Sequence, residues 1–334
     1  MAHWRTDPEA VAQAVALGDR SAIAQAITAI ESSNPRHRPL ARRLLQELPT
    51  PETMTVRVGI SGVPGVGKST FIESFGRMLT GMGHRVGVLA VDPSSVRTHG
   101  SVLGDKTRMP ELSVNPDAFV RPSPSSGTLG GVAKSTSQAM RILEAAGYDV
   151  ILVETVGVGQ SETTVATMVD TFLFLGLART GDQLQGIKKG VLEIADIVAI
   201  NKADGEHEKA ARAAARELQA ALRMVYTGHA GWVPPVLTCS GLTGLRIDDV
   251  WQTIGKHRDY LGEAGLLAKR REQEWELTWK LVRAELEDRL ARDGGVRAIR
   301  DDLRRQVFGG DLAAAQAADE ILRVFDAQPH GPSA

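Results

Sequence analysis

Between residue 55 and about residue 260 the chain alternates short apolar runs with longer stretches of helical period. The runs are "VRVGIS", "RVGVLAVD", "AFVRPS", "YDVILVET", "VDTFLFLGL", "ADIVAIN" and "PPVLTCS". Several are apolar at consecutive positions, as strands covered on both faces by helices must be. Strand followed by helix in repeated order predicts a doubly wound, mostly parallel α/β sheet. Before it, Val11, Val15, Ile23, Ile27 and Ile30 fall mostly at three- and four-residue steps, broken at Gly18. "NPRHRP" interrupts that pattern, "LARRLLQEL" resumes it and "PTPET" ends it, giving three short helices. After Leu261 the chain turns helical again. Trp275, Trp279, Val282, Leu286 and Leu290 form one apolar stripe, "DGG" at 293–295 breaks it, and Val296, Ile299, Leu303 and Val307 form a second. The expected organisation is a helical arm over 1–50, an α/β domain over 51–262 and a helical arm over 263–334.

The first helix of the α/β region is preceded by "GVPGVGKST", residues 62–70. Gly62, Gly67, Lys68 and Ser69 hold the fixed places of G-x-x-x-x-G-K-[ST]. Between them, Val63, Pro64, Gly65 and Val66 form the loop, and Thr70 follows. Glycines let successive backbone N–H groups turn toward phosphate oxygens with no side chain in the way. Lys68 would then reach the β- and γ-phosphates, the Ser69 hydroxyl would ligate Mg²⁺, and the helix N-terminus adds its partial charge. A glycine turn can arise by chance, but here a strand precedes the pattern and an amphipathic helix follows it.

"NKAD", Asn201 to Asp204, closes the apolar run "IADIVAI" about 130 residues downstream. It should lie at a strand's carboxyl end, where such sheets bind ligands. Asp204 can accept two N–H donors from the Watson–Crick edge of guanine. Adenine would leave that carboxylate unpaired, at a cost on the order of a few kcal/mol. After the next strand, Ser240, Gly241 and Leu242 open "SGLTG", whose N–H groups could meet the 6-oxo group. Guanine is therefore the expected base, with Asn201 and Lys202 beside it and GTP or GDP as the bound nucleotide.

Three acidic residues lie at or soon after predicted strand ends: Asp92, Asp105 and Glu154. Strand-end carboxylates also serve as caps and turn residues, a reading that fits Asp105 as well as a metal role does. Mg²⁺ coordination, directly or through water, is the expected role of all three. Gly157 would offer its N–H to the γ-phosphate. Ras-like proteins carry a water-orienting glutamine after that glycine. Here the place holds Val158, with Gln160 two residues on, so intrinsic hydrolysis should be slow and open to stimulation by a partner.

"GVPGVGKST", "AVDPSS", "ETVGVGQSE", "GDQLQGIKKG" and "NKAD", in this order, closely resemble the methylmalonyl-CoA mutase-associated GTPases of the MeaB type. That group includes proteins once described as arginine/ornithine transport kinases. The resemblance spans roughly residues 10–330 and implies a P-loop GTPase fold with N- and C-terminal helical extensions. It also implies a homodimeric GTPase that serves an adenosylcobalamin-dependent acyl-CoA mutase. Such a chaperone gates delivery of intact cofactor from the adenosyltransferase and protects the mutase from inactivation, while the mutase speeds hydrolysis. By position, Lys68, Ser69, Asp92, Asp105 and Glu154 match the phosphate and Mg²⁺ residues, and Asn201, Lys202 and Asp204 the guanine site. Segment 177–190 matches an extra switch that relays nucleotide state to the mutase, with Asp182, Gln185 and Lys188 as its working residues. By itself it reads equally as a solvated polar loop.

Composition narrows the alternatives. Lys plus Arg number 39 against 40 Asp plus Glu, so no global field points to nucleic acid or anionic lipid, and neither is an expected partner. Cys239 is the single cysteine, which excludes an internal disulfide and suits a reducing cytosol. The eight histidines are scattered, unlike the clusters a metallocentre-insertion GTPase would want. A small-molecule kinase would share the phosphate loop but has no need of "NKAD". The start shows neither a secretory signal nor a transit-peptide composition, and no apolar run approaches the ~18 residues of a spanning helix. A cytoplasmic location is the expectation.

Overall fold

A computed structural model describes residues 3–32, 34–51, 53–92, 109–124, 129–155, 161–178, 189–227 and 231–327. The chain divides into two compact units, residues 1–275 and 276–334.

The first unit is built on seven strands, β1 Val56–Gly62, β2 Val86–Asp92, β3 Ala118–Pro124, β4 Val150–Thr155, β5 Thr171–Leu177, β6 Ile197–Asn201 and β7 Val236–Thr238. They form one sheet in the order β3-β2-β4-β1-β5-β6-β7, and every pair is parallel. Every residue of β4 and β6 is buried, as double-sided coverage requires. Strand order reverses beside β1, which puts the phosphate loop at the topological switch point of the sheet. Helix α4 (Lys68–Gly81) leaves that loop, and its Phe71, Ile72, Phe75 and Leu79 sink into a core shared with Val58, Ile60, Leu152, Leu173 and Ile254.

The N-terminal helices are α1 (Pro8–Ala16), α2 (Arg20–Glu31) and α3 (Arg38–Gln46), the last starting inside "NPRHRP", two residues before the expected resumption at Leu40. Asp7 caps α1 through the Ala10 N–H at 3.0 Å, and Asp19 caps α2 through the Ala22 N–H at 2.7 Å. These helices lie over the β3 edge of the sheet. One guanidinium nitrogen of Arg20 donates to the carbonyls of Asn115, Pro116 and Ala118, and Arg121 of β3 pairs with Glu31 at 2.5 Å. Between α4 and β3, the short α5 (Pro110–Val114) receives its cap from Glu73 on α4.

The sheet is completed by α6 (Leu129–Ala145), α7 (Ser161–Ala166), α8 (Lys189–Ile194) and α9 (Glu208–Val225). From β7 the chain enters α10, Ile247–Arg292, two helical segments that meet at a kink, the second of which begins just after Leu261 as expected. Gly262 is its one non-helical residue, with φ 65° and ψ 171°. In the second unit Asp293 caps α11 (Gly294–Gly309) through the Val296 N–H at 2.9 Å, and α12 (Ala314–Asp326) follows.

An ionic cluster fastens α10 to the amino-terminal end of the sheet. Asp170, just before β5, is fully buried and accepts from the Arg57 N–H, from Arg258 at 2.8 Å and from two nitrogens of Arg270 at 2.8 Å. Arg270 also reaches the Thr55 carbonyl before β1, and Gln273 the Val169 carbonyl. Alongside, Arg57 pairs bidentately with Glu144 at 2.7 and 2.9 Å. Burial alone would raise the Asp170 carboxyl. The hydrogen bonds and positive charge of Arg270 and Arg57 outweigh it and hold the group below the usual carboxylate range.

Removing one partner of a buried pair strands the others, so Asp170→Asn should cost about 3–5 kcal/mol in urea unfolding at neutral pH. Because the folded carboxyl is depressed, its contribution is complete above the unfolded value of about 3.9 and fades as pH falls below it. The variant's stability should therefore change less than the wild type's over that acid range. A second expectation concerns Cys239, which burial pushes up to about 12. At pH 8 iodoacetamide should leave the native protein unmodified and label one thiol after denaturation, as read by mass spectrometry.

Candidate functional site

The carboxyl end of the sheet gathers the candidate residues. β1 ends at Gly62, where a Cβ would stand 2.4 Å from the Leu175 carbonyl oxygen, so only glycine lets the loop leave between β1 and β5. The loop closes at Gly67, in the left-handed region, and α4 starts at Lys68. The Lys68 ammonium is buried and donates to the Gly62 carbonyl at 2.8 Å, which holds it over the loop its own backbone encloses.

Ser69, in the first turn of α4, donates its hydroxyl to Glu154 Oε1 at 3.2 Å. Glu154 lies near the end of β4, next to β1, so sheet order itself brings these two oxygen groups together. Asp92 is the last residue of β2, the strand on the other side of β4. Beneath the loop, Thr155 donates its hydroxyl to the Ser61 hydroxyl at 2.9 Å in full burial. Nothing in the sequence marks that pair, since both residues read as ordinary strand-end polar positions.

The guanine candidates converge on one carboxamide. Asn201 closes β6, and its Nδ2 donates to the Val66 carbonyl at 2.8 Å while its Oδ1 accepts from the Gly241 N–H at 2.9 Å. Lys202 has φ +60° and donates to the Gly65 carbonyl at 2.9 Å. Two residues on, Asp204 Oδ1 accepts from the Ser240 hydroxyl at 2.6 Å. That bond fixes one carboxylate oxygen and so the plane of the group. The Ser240 oxygen also receives the Thr243 N–H, which sets the turn after β7.

Gly241 packs its backbone on α4. A Cβ there would meet Phe71 Cα at 2.7 Å, and its carbonyl accepts from Ser74 at 2.5 Å. Leu242, 76% exposed, is the apolar rim of this turn. Ser74 has no sequence signature, because its partner lies 167 residues away. Asp105, Gly157, Val158, Gln160, Asp182, Gln185 and Lys188 lie outside the described residues.

A profile of the family described as methylmalonyl-CoA mutase-associated GTPase MeaB matches residues 23–294. A probable GTPase of Mycobacterium tuberculosis H37Rv is 57% identical over 317 residues, covering 95% of this chain and 94% of that protein. The mouse methylmalonic aciduria type A homolog, described as mitochondrial, is 44% identical and covers 92% of this chain and 77% of its own length. Among solved structures, a LAO/AO transport system kinase superposes with a TM-score of 0.76 at 35% identity, covering 96% of this chain and 98% of that one. The chain belongs to the MeaB family of methylmalonyl-CoA mutase-associated P-loop GTPases.

Proposed function

We propose that this protein binds and hydrolyses GTP at the carboxyl end of its sheet and uses the cycle to chaperone an adenosylcobalamin-dependent acyl-CoA mutase of the methylmalonyl-CoA mutase type. The observation that carries the nucleotide part is the Ser240–Asp204 bond beside the Asn201 bridge. A carboxylate with one oxygen already held is oriented for the two N–H donors of guanine and leaves adenine unmatched. Lys68 exchanges the Gly62 carbonyl for phosphate oxygens, joined by the backbone N–H groups of residues 62–70 and of Gly157. Oxygen donors are what Mg²⁺ requires, and Ser69 and Glu154, with Asp92 and Asp105, would hold it. Bound Mg²⁺ would neutralise charge on the transferring phosphate.

Membership of the family supports the mutase part. Asp182, Gln185 and Lys188 serve as the relay to the mutase, and Val158 keeps hydrolysis slow until the partner engages. In this reading the protein is cytoplasmic and takes cofactor in concert with the adenosyltransferase. No helix among the described residues is long and apolar enough to cross a membrane. It works as a homodimer, with 1–50 as one arm, 51–262 as the GTPase domain and 263–334 as the dimerisation arm. Exposed Trp279, Leu286 and Phe308 supply apolar area for that contact.

GTP should bind at least about a hundredfold more tightly than ATP in a nucleotide panel. Asp204→Asn should lose most of that preference and gain xanthine nucleotides, whose 2-oxo group accepts from the new amide. Lys68→Ala should abolish turnover; equal affinity for ATP and GTP in the wild type would overturn the GTPase assignment. The chaperone role has its own measurement. Adding the cognate mutase should raise the GTPase rate and shift both proteins to one gel-filtration peak, and failure of both would sink that role while leaving the GTPase intact.

A further inference from the structure

The two edges of the sheet are treated differently. The β3 edge is covered by α2, through Arg20 and the Glu31–Arg121 pair. The β7 edge carries no further strand among the described residues. In the β6–β7 ladder the Val198 N–H donates to Pro235 and the Cys239 N–H to Ile200, so the backbone groups of Val236 and Thr238 face outward. Gln219 of α9 accepts the Val236 N–H at 2.8 Å. The Val236 carbonyl and the Thr238 N–H have no partner among the described residues.

Along this edge lie two adjoining shallow hollows that share Arg216 and Val236, one of about 280 Å³ lined also by Gln219 and Arg223 of α9, the other of about 300 Å³ lined also by Arg212 and the rest of β7. At its other end Arg246 and Arg212 share Glu208, and Asp249 also lines the wall. Arg216 and Arg223 are exposed and have no ion-pair partner among the described residues. Seven residues apart on one helix, they sit about 10 Å from each other along its axis. An extended chain bearing several carboxylates can meet both. A second copy of this edge would set arginines against arginines, which disfavours self-pairing.

We infer that β7 and the arginine face of α9 form a docking groove for an extended, acidic segment of a partner protein, which adds as a strand beside β7 with carboxylates on Arg216 and Arg223. The Val236 carbonyl and Thr238 N–H supply register, and the arginines select charge. This surface is separate from the nucleotide residues, so a defect in one leaves the other measurable.

The probe is a fluorescein-labelled peptide of alternating glutamate and valine, titrated into the full chain by fluorescence anisotropy. A lysine–valine peptide and an oligo-dT of similar length are the controls. The Glu–Val peptide should bind, more tightly at low salt, and should slow hydrogen exchange at the Thr238 amide. Arg216→Glu with Arg223→Glu should weaken it at least about tenfold, and the two alanine changes should weaken it less, all with unchanged GTP hydrolysis. No binding, binding that ignores charge reversal, binding without Thr238 protection, or equal affinity for oligo-dT would each overturn the proposal.

Discussion

A single carboxamide organises the ligand end of this molecule. Asn201 ends β6, yet its side chain satisfies a carbonyl of the loop after β1 and an N–H of the loop after β7. Each bond contributes only about 1 kcal/mol net, but leaving either buried partner unmade costs more than that. The amide therefore ties the phosphate loop to the base-recognition loops, alongside the Ser74–Gly241 bond from α4. Lys202 repeats the tie one residue later through Gly65, and its left-handed backbone is the local strain that accompanies it.

The opposite end of the sheet uses the reverse strategy. There the ties are ionic and deep: Asp170 holds Arg258 and Arg270 of α10, and Arg57 holds Glu144 of α6. Buried charges cost desolvation and work only with nearly complete hydrogen bonding. Asp170 meets that condition, with both oxygens occupied and its own carbonyl receiving Lys269. Hydrogen bonds to carbonyls, amides and hydroxyls thus sit at the ligand end, and buried ion pairs at the other.

Most of the sheet is legible in the sequence because parallel strands buried on both faces are apolar at successive positions. The phosphate loop is legible because its chemistry demands fixed spacing. β7 is shorter than its seven-residue run, since Pro234 and Pro235 have no N–H for a ladder and the Cys239 carbonyl accepts the Ala203 N–H beyond β6. The helix expected after Leu261 is the second segment of α10, beyond the Gly262 kink, while the first segment sends Val250 and Ile254 into the core of the sheet. The Asn201 bridge, the Thr155–Ser61 pair and the Asp170 cluster are tertiary facts. Arg258 and Arg270 look like ordinary helical surface charges until the fold brings them to an aspartate about a hundred residues earlier.

β1 links these two ends directly. Its seven residues span roughly 20 Å, between Thr55 just before the strand, whose carbonyl is gripped by Arg270, and Gly62 at its end, whose carbonyl is gripped by Lys68. A strand clamped at both termini and hydrogen-bonded along both sides is a fixed spacer between the phosphate loop and the foot of α10.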